Sequence, residues 1–567
     1  MTPLEPFIHT RRIAYFSMEM AVDRKIPTYS GGLGMLAGDT LRASADLELP
    51  LVGVTLISRM GYFHQLLDKQ GHQSEEPDPW QPEQYMTCLD AKIALPIEAC
   101  RVWVQAWLYV LKGGAGYQLP VIMLDTDLPD NSPEDRKITH YLYGGDDAYR
   151  LKQELVLGIG GARMLQALGF RISKYHMNEG HSALLGLELL WRFEREKEEV
   201  GLGESIYNVG RVREQCLFTT HTPVEAGHDQ YSYDLTQCIL DDLIDIKELK
   251  LLAGSDRLNM TRLAMNLSGY VNGVAQSHAR ISNHMFPGYH VRAITNGVHG
   301  PTWTCPSFAK LYDLHIPAWR HQPEILVRAD QIPDHDIWNA HLQAKRGLLE
   351  KVYERTGITL EMDIPVIGFA RRMTSYKRPD LLLSDLERLK AIAKHYPLQI
   401  IYAGKAHPRD EPGKRQIKII HEHIKALEGS IKMAYLPNYD MELGLAMVSG
   451  TDLWLNTPLR PLEASGTSGM KAAFNGVPQL SVLDGWWLEG VIEGVTGWAI
   501  GGVSPDTPSD GYDGVSLYEK LETTVLPLFY NDQAGWIRVM KGAISKNAYY
   551  FNSHRMMRRY ALEAYLC

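Results

Sequence analysis

The stretch PLEASGTSGMKAAFNG, residues 461–476, sets a carboxylate, then small hydroxyl and glycine residues, then Lys471 with apolar followers. Thr467 and Ser468 can cap the helix that this pattern begins. Their hydroxyls, with the free N–H groups of a helix start, would hold a phosphate. Lys471 then lies one turn in, near the same anion. A lysine in a partly desolvated site loses its proton readily and can condense with a carbonyl cofactor. An ion-paired helix lysine satisfies the same spacing, and the residues alone leave both open. A second cluster, RRMTSYKRPD (371–380), packs Arg371, Arg372, Lys377 and Arg378 directly after the apolar run IPVIGFA. Positive charge gathered at the end of a strand calls for an anion, which favours a phosphate site over a solvated helix start.

A third candidate is SGGLGMLAGD (30–39), whose Gly31, Gly32 and Gly34 precede a helical pattern. Glycines there allow backbone N–H groups to approach an anion, although an ordinary tight turn has the same composition and no Walker lysine follows. GIGGAR (158–163) is half of a dinucleotide fingerprint, but a helical segment precedes it and Arg163 occupies the third glycine position. Close helix packing is the better reading. Histidines recur in HMNEGH (176–181) and HTPVEAGH (221–228), at spacings that match no zinc helix. Ligand contact and structural hydrogen bonding both remain open for them. The six cysteines form no CxxC pair, so they indicate neither a zinc site nor a disulfide framework.

These residues need elements to position them. RIAYFSM (12–18), LVGVTLIS (51–58), PVIMLDT (120–126), KYHMN (174–178), CLFTTHT (216–222) and VRAIT (291–295) read as buried strands. A second series follows: IPVIGFA (364–370), LQIIYAG (398–404), IKMAYLP (431–437), DLWLN (452–456) and PQLSVLD (478–484). Alternation with longer helical patterns predicts parallel sheets covered on both faces, an α/β class with ligands at the carboxyl ends of the strands. At 567 residues the chain exceeds one core, and the two series predict two doubly wound domains. The expected limits are 1–300, 301–545, and a tail 546–567 that returns to the first domain. The net charge of −9 leaves no electrostatic footprint for nucleic acid. MTPLEPFIHTRR lacks the apolar core of a signal peptide, and no apolar run of ~18 residues occurs. The expectation is a cytoplasmic protein without a membrane span.

EASGT-x-x-MK, YKR, SGGLG and RLKQE, together and in order, resemble the α-glucan (glycogen, starch or maltodextrin) phosphorylases. That likeness runs from YFSME (15–19) to LDGWWLEG (483–490) and is to the short-form branch. It implies two Rossmann-like domains facing a deep cleft (GT-B type), and pyridoxal 5′-phosphate as cofactor. By resemblance Lys471 anchors the cofactor, with Thr467, Ser468, Arg371, Lys377, Tyr439 and Trp303 around it. Arg372 clamps the substrate phosphate with the amides of Gly32 and Leu33. Glu463, Ser465, Gly466, His221 and Asn296 contact the sugar, and Glu179 and His181 stand on the acceptor side. Lys377, Arg372 and His221 are thereby placed nearest the reacting groups, with no metal. Departures from the long enzymes are Arg371 for lysine, Ala21 for tyrosine, Glu179 for aspartate, and a short loop at 142–149.

The resemblance implies phosphorolysis of α-1,4-glucan ends to α-glucose 1-phosphate with retention, the cofactor phosphate and inorganic phosphate sharing acid–base work. Two adjacent phosphates need a cluster such as Arg371, Arg372 and Lys377 to neutralise them. The implied partners are glucan and phosphate, and a second copy in a homodimer. Two alternatives stand beside this: a nucleotide-sugar glucan synthase of the same shape, and a non-catalytic glucan-binding relative.

Overall fold

Every apolar segment predicted above as a strand lies in one of two large sheets of the computed structural model. The structure describes residues 3–196, 198, 200–201, 205–224, 227–502 and 510–566. The first sheet has nine strands. In space they run Arg292–Ala293, Tyr270–Gly273, Cys216–Thr219, Lys174–Asn178, Ile13–Phe16, Leu51–Leu56, Gln118–Asp125, Cys100–Lys112 and Thr87–Ile97. The first seven are parallel, and the last two add an antiparallel arm. The second sheet is wholly parallel. Its six strands run Lys432–Leu436, Gln399–Ala403, Val366–Ala370, Leu453–Asn456, Gln479–Val482 and Gly497–Ile500. Strands such as Ile13–Phe16 and Val366–Ala370 are buried along their whole length, which is why they read as unbroken apolar runs.

Strand order reverses between Ile13–Phe16 and Lys174–Asn178 in the first sheet, and between Val366–Ala370 and Leu453–Asn456 in the second. In doubly wound sheets such reversals open a crevice at the carboxyl ends, where ligands bind. GIGGAR is a packing device, as its composition indicates. A Cβ on Gly158 would stand 2.7 Å from the backbone nitrogen of Leu185, and one on Gly161 2.6 Å from the Phe16 ring.

Two further features tie the halves together. The hairpin His64–Leu67 and Gln73–Glu76 reaches over the second sheet, where Gln65 donates to the Gly404 carbonyl at 3.0 Å and Gln73 to that of Ala406 at 2.9 Å. The C-terminal helix Ser553–Tyr560 packs Met556, Met557 and Tyr560 against the core around Ile13 and Tyr15. Tyr560 and Tyr565 then hydrogen bond Asn272 and His176, polar groups buried in the first sheet. No helix among the described residues is long and apolar enough to cross a membrane.

Candidate active site

Both strand-order reversals face one cavity of about 890 Å³. Arg371 and Arg372 follow the end of Val366–Ala370 directly. Glu463 to Ser468 lie on the connection that leaves Leu453–Asn456, and Glu179 follows Lys174–Asn178. Every residue that the resemblance assigns to cofactor, phosphate, sugar or acceptor lines this cavity, including Leu33, Tyr439, Ser465 and Asn296.

Lys471 lies in the first turns of the short helix Ser468–Ala473, its backbone N–H closing on the Thr467 carbonyl at 3.1 Å. Its ammonium nitrogen sits 3.7 Å from the centre of the Trp303 ring. Trp303 in turn donates its indole N–H to Asp39 at 2.8 Å, so the ring is held in place under the amine. No carboxylate lies within ion-pair distance of Lys471 among the described residues. Burial lowers its pKa to about 8, which makes a neutral amine accessible near neutral pH. The ion-paired alternative is therefore not what the fold builds. Thr467 stands at the helix start with no side-chain capping bond, so its hydroxyl is not used on its own helix. Ser468 Oγ accepts from the Trp454 indole at 3.1 Å.

The cationic cluster divides. Arg371 and Lys377 both contact Glu463 Oε2, at 2.5 and 2.6 Å. Burial alone would raise the Glu463 pKa, but the two cations overcome it and hold the carboxylate at about 2. Arg371 Nη1 remains buried without a partner among the described residues, a donor that points to a missing acceptor. Arg372 stays open in the cleft and touches Ser30 Oγ at 3.2 Å. Arg378 leaves the group. Its backbone is left-handed, φ 43°, and its guanidinium turns away to Asp513 at 2.6 Å and the Pro458 carbonyl at 2.8 Å. It braces the second domain through Asp513 and does not face the cavity, which corrects its inclusion in the candidate phosphate cluster.

The glycine loop is held by a carboxylate that the motifs left out. Glu19 accepts from the backbone N–H groups of Ser30 at 2.6 Å and Gly31 at 3.2 Å, and from the Tyr143 hydroxyl at 3.0 Å. A Cβ on Gly34 would stand 2.6 Å from Glu19, so glycine is needed there. The amides of Gly32 and Leu33 come next, at the start of the helix Gly32–Asp46, where N–H groups have no intrahelical acceptor. Those two remain for a ligand.

Opposite them, His221 Nε2 lies 2.6 Å from Asn178 Oδ1, and the Asn178 amide donates to Ser17. Glu179, with a positive φ of 72°, accepts from the His221 N–H at 2.7 Å and the Thr222 hydroxyl at 3.1 Å. Burial raises its carboxyl to about 7 despite those donors. Its side chain thus shapes the His221 loop. Asn296 Oδ1 is buried and unpartnered among the described residues. His181 lies 3.4 Å from Asp229, which pairs with Arg150 at 3.0 Å. Arg150 lies over the Tyr143 ring at 4.4 Å, and Tyr143 meets His181 edge-on. Tyr143, Arg150 and Asp229 line the cavity although no spacing rule pointed to them; RLKQE contained the Arg150 signal. Asp484 was missed too. It accepts from the Glu463 N–H at 2.8 Å and the Gly485 N–H at 2.9 Å, and so seats the turn that carries Glu463.

Two Rossmann-like sheets with a lysine, three cations and buried polar groups between their crevices define a glycosyltransferase-class enzyme that handles anions. The family model for carbohydrate phosphorylases matches residues 175–495. A maltodextrin phosphorylase of Thermococcus litoralis is 40% identical, over 98% of this chain and 70% of its own. A glycogen phosphorylase of Aquifex aeolicus is 34% identical over 98% and 86%, and an uncharacterized protein of Methanocaldococcus jannaschii 32% over 97% and 99%. The chain belongs to the carbohydrate phosphorylase family.

Proposed function

We propose that the protein is an α-1,4-glucan phosphorylase that uses pyridoxal 5′-phosphate and releases α-glucose 1-phosphate with retention. The observation that carries this is the meeting of an amine without an anionic partner, Lys471, with Arg371, Arg372 and Lys377 in one interdomain cavity. The residues fit that cofactor. Lys471 would anchor it beside Trp303 and Tyr439, and Thr467 and Ser468 would hold its phosphate with Lys377. When bound, the cofactor supplies a phosphate that exchanges protons with the substrate phosphate. Arg372 and the amides of Gly32 and Leu33 bind the inorganic phosphate, and the unpartnered Arg371 Nη1 adds a further donor. Glu463, Ser465 and Gly466 hold one side of the glucosyl unit. Asn178 fixes a proton on His221 Nε2, which leaves Nδ1 to accept from a sugar hydroxyl, while Asn296 Oδ1 accepts another. Glu179 and His181 define the acceptor side. Domain limits near 300 and 545, a cytoplasmic location and a homodimer complete the proposal.

The test is spectroscopic. Protein loaded with pyridoxal phosphate gains a near-UV absorbance that borohydride fixes to the peptide carrying Lys471, and Lys471→Ala gains none. An unchanged spectrum, with turnover from a nucleotide sugar, would instead identify a synthase. Binding of glucan without either reaction would identify a non-catalytic relative.

A further inference from the structure

Far along the sequence from one another, Asp46, His299 and His554 converge at the place where the chain crosses between the two sheets. Asp46 ends the helix Gly32–Asp46, which carries the glycine loop at its other end. His299 lies on the first crossing and His554 on the second. Those crossings run side by side: the Val298 N–H donates to the Phe551 carbonyl at 3.1 Å, and the Ser553 N–H to Val298 at 2.9 Å. Gly297 comes so close that a Cβ would stand 2.2 Å from the Asn552 carbonyl oxygen.

We propose that Asp46, His299 and His554 form a site for a divalent transition-metal ion, zinc foremost, which pins both crossings to the glycine-loop helix. One ligand atom from each residue lies within 4.8 Å of the other two, and this is the only such group among the described residues. Asp46 Oδ2 is 2.8 Å from His299 Nε2 and 3.2 Å from His554 Nε2. Two imidazoles and one carboxylate are a donor set suited to zinc, with the last position left for water. Two observations beyond the donor set point to a ligand. His554 is 0% exposed, yet neither ring nitrogen has a hydrogen-bond partner among the described residues; its Nε2 is close to Asp46 but not aligned for a bond. A cation at the centre of the group would give the buried Nε2 the partner it lacks, with the proton left on Nδ1. The outer contacts also match those of metal ligands. His299 Nδ1 meets the Thr302 hydroxyl at 2.7 Å, and Asp46 Oδ1 accepts from the Gly114 N–H at 2.6 Å, which orients each ligand from behind. Asp46 and His299 further line a second cavity of about 530 Å³, a route for the ion and its water. The site is separate from the catalytic cavity, since none of the three residues lines that space.

The measurement is metal content and affinity of the full chain. Chelator-treated protein given zinc and then desalted should retain about one equivalent per chain, as a structural site does. Cobalt(II) in its place should give a visible d–d spectrum that saturates at the same ratio. His554→Gln, chosen because it keeps the buried volume, should abolish that spectrum. Thr302→Val should weaken zinc binding by about 10–100-fold without touching a ligand. The melting temperature of the wild-type chain should rise with zinc concentration and that of His554→Gln should not. If the wild-type chain retains no zinc, or retains as much as His554→Gln, the three residues are a hydrogen-bonded buried group only and the proposal fails. The wild-type measurement decides even where a variant does not fold.

Discussion

Replacing Glu463 with glutamine tests how the cavity holds its charges. Glu463 is largely buried between Arg371 and Lys377, and its carboxyl is held at about 2 against an ordinary 4.5. That difference corresponds to ~3 kcal/mol of stability at neutral pH. The cost of breaking a buried pair by removing one partner, ~3–5 kcal/mol, agrees. A carboxylate with a lowered pKa contributes its full stability above the ordinary value and loses it as pH falls toward about 2. Glu463→Gln should therefore unfold in urea with ~3 kcal/mol less stability at pH ~7, and the gap to the wild type should close as pH falls below ~4.5. Inorganic phosphate should restore stability to the variant more than to the wild type, because it neutralises two cations that have lost their carboxylate. A variant as stable as the wild type at neutral pH, and indifferent to phosphate, would refute the charge assignment.

Three further outcomes follow from particular residues. Lys471, with its amine lowered to about 8 by burial, should take up pyridoxal phosphate faster as pH rises through that value, while exposed lysines still lag; stopped-flow absorbance reads this directly. Arg372→Ala should raise the KM for phosphate without changing the urea midpoint. Arg378→Ala should do the reverse, since it strips Asp513 Oδ2 of its guanidinium and leaves the buried carboxylate with Arg460, at ~1–3 kcal/mol. Gly158→Ala should destabilise the first domain by ~1–3 kcal/mol, because its Cβ meets the Leu185 backbone, and thermal unfolding measures that.

The strands were legible because fully buried parallel strands are unbroken apolar runs, and the site was legible where its residues cluster in sequence. EASGTSGMK and RRMTSYK each sit on one connection from a strand end, so local spacing already contains their juxtaposition. Arg378 shows the limit of that logic. One residue past Lys377, a left-handed backbone turns its guanidinium into the core, and composition carries no sign of the change. Glu19, Tyr143, Asp229 and Asp484 act through partners distant in sequence, Glu19 on Ser30 and Tyr143, and Asp484 on the turn bearing Glu463. Only the folded sheets bring them together. The group at Asp46, His299 and His554 is the extreme case, joined solely by the crossings between domains. The arm Thr87–Ile97 and Cys100–Lys112 is different: the first of these strands alternates apolar and polar residues over Leu89–Ile93, a signal present in the sequence but outside the two apolar series.

The most direct test of the central claim is the product formed from maltodextrin and inorganic phosphate by protein loaded with pyridoxal phosphate. Phosphorus and proton NMR of the reaction should show α-glucose 1-phosphate accumulating only when phosphate is present, and none with Lys471→Ala. Free glucose, the β anomer, or no phosphate-dependent product from fully loaded protein would contradict it.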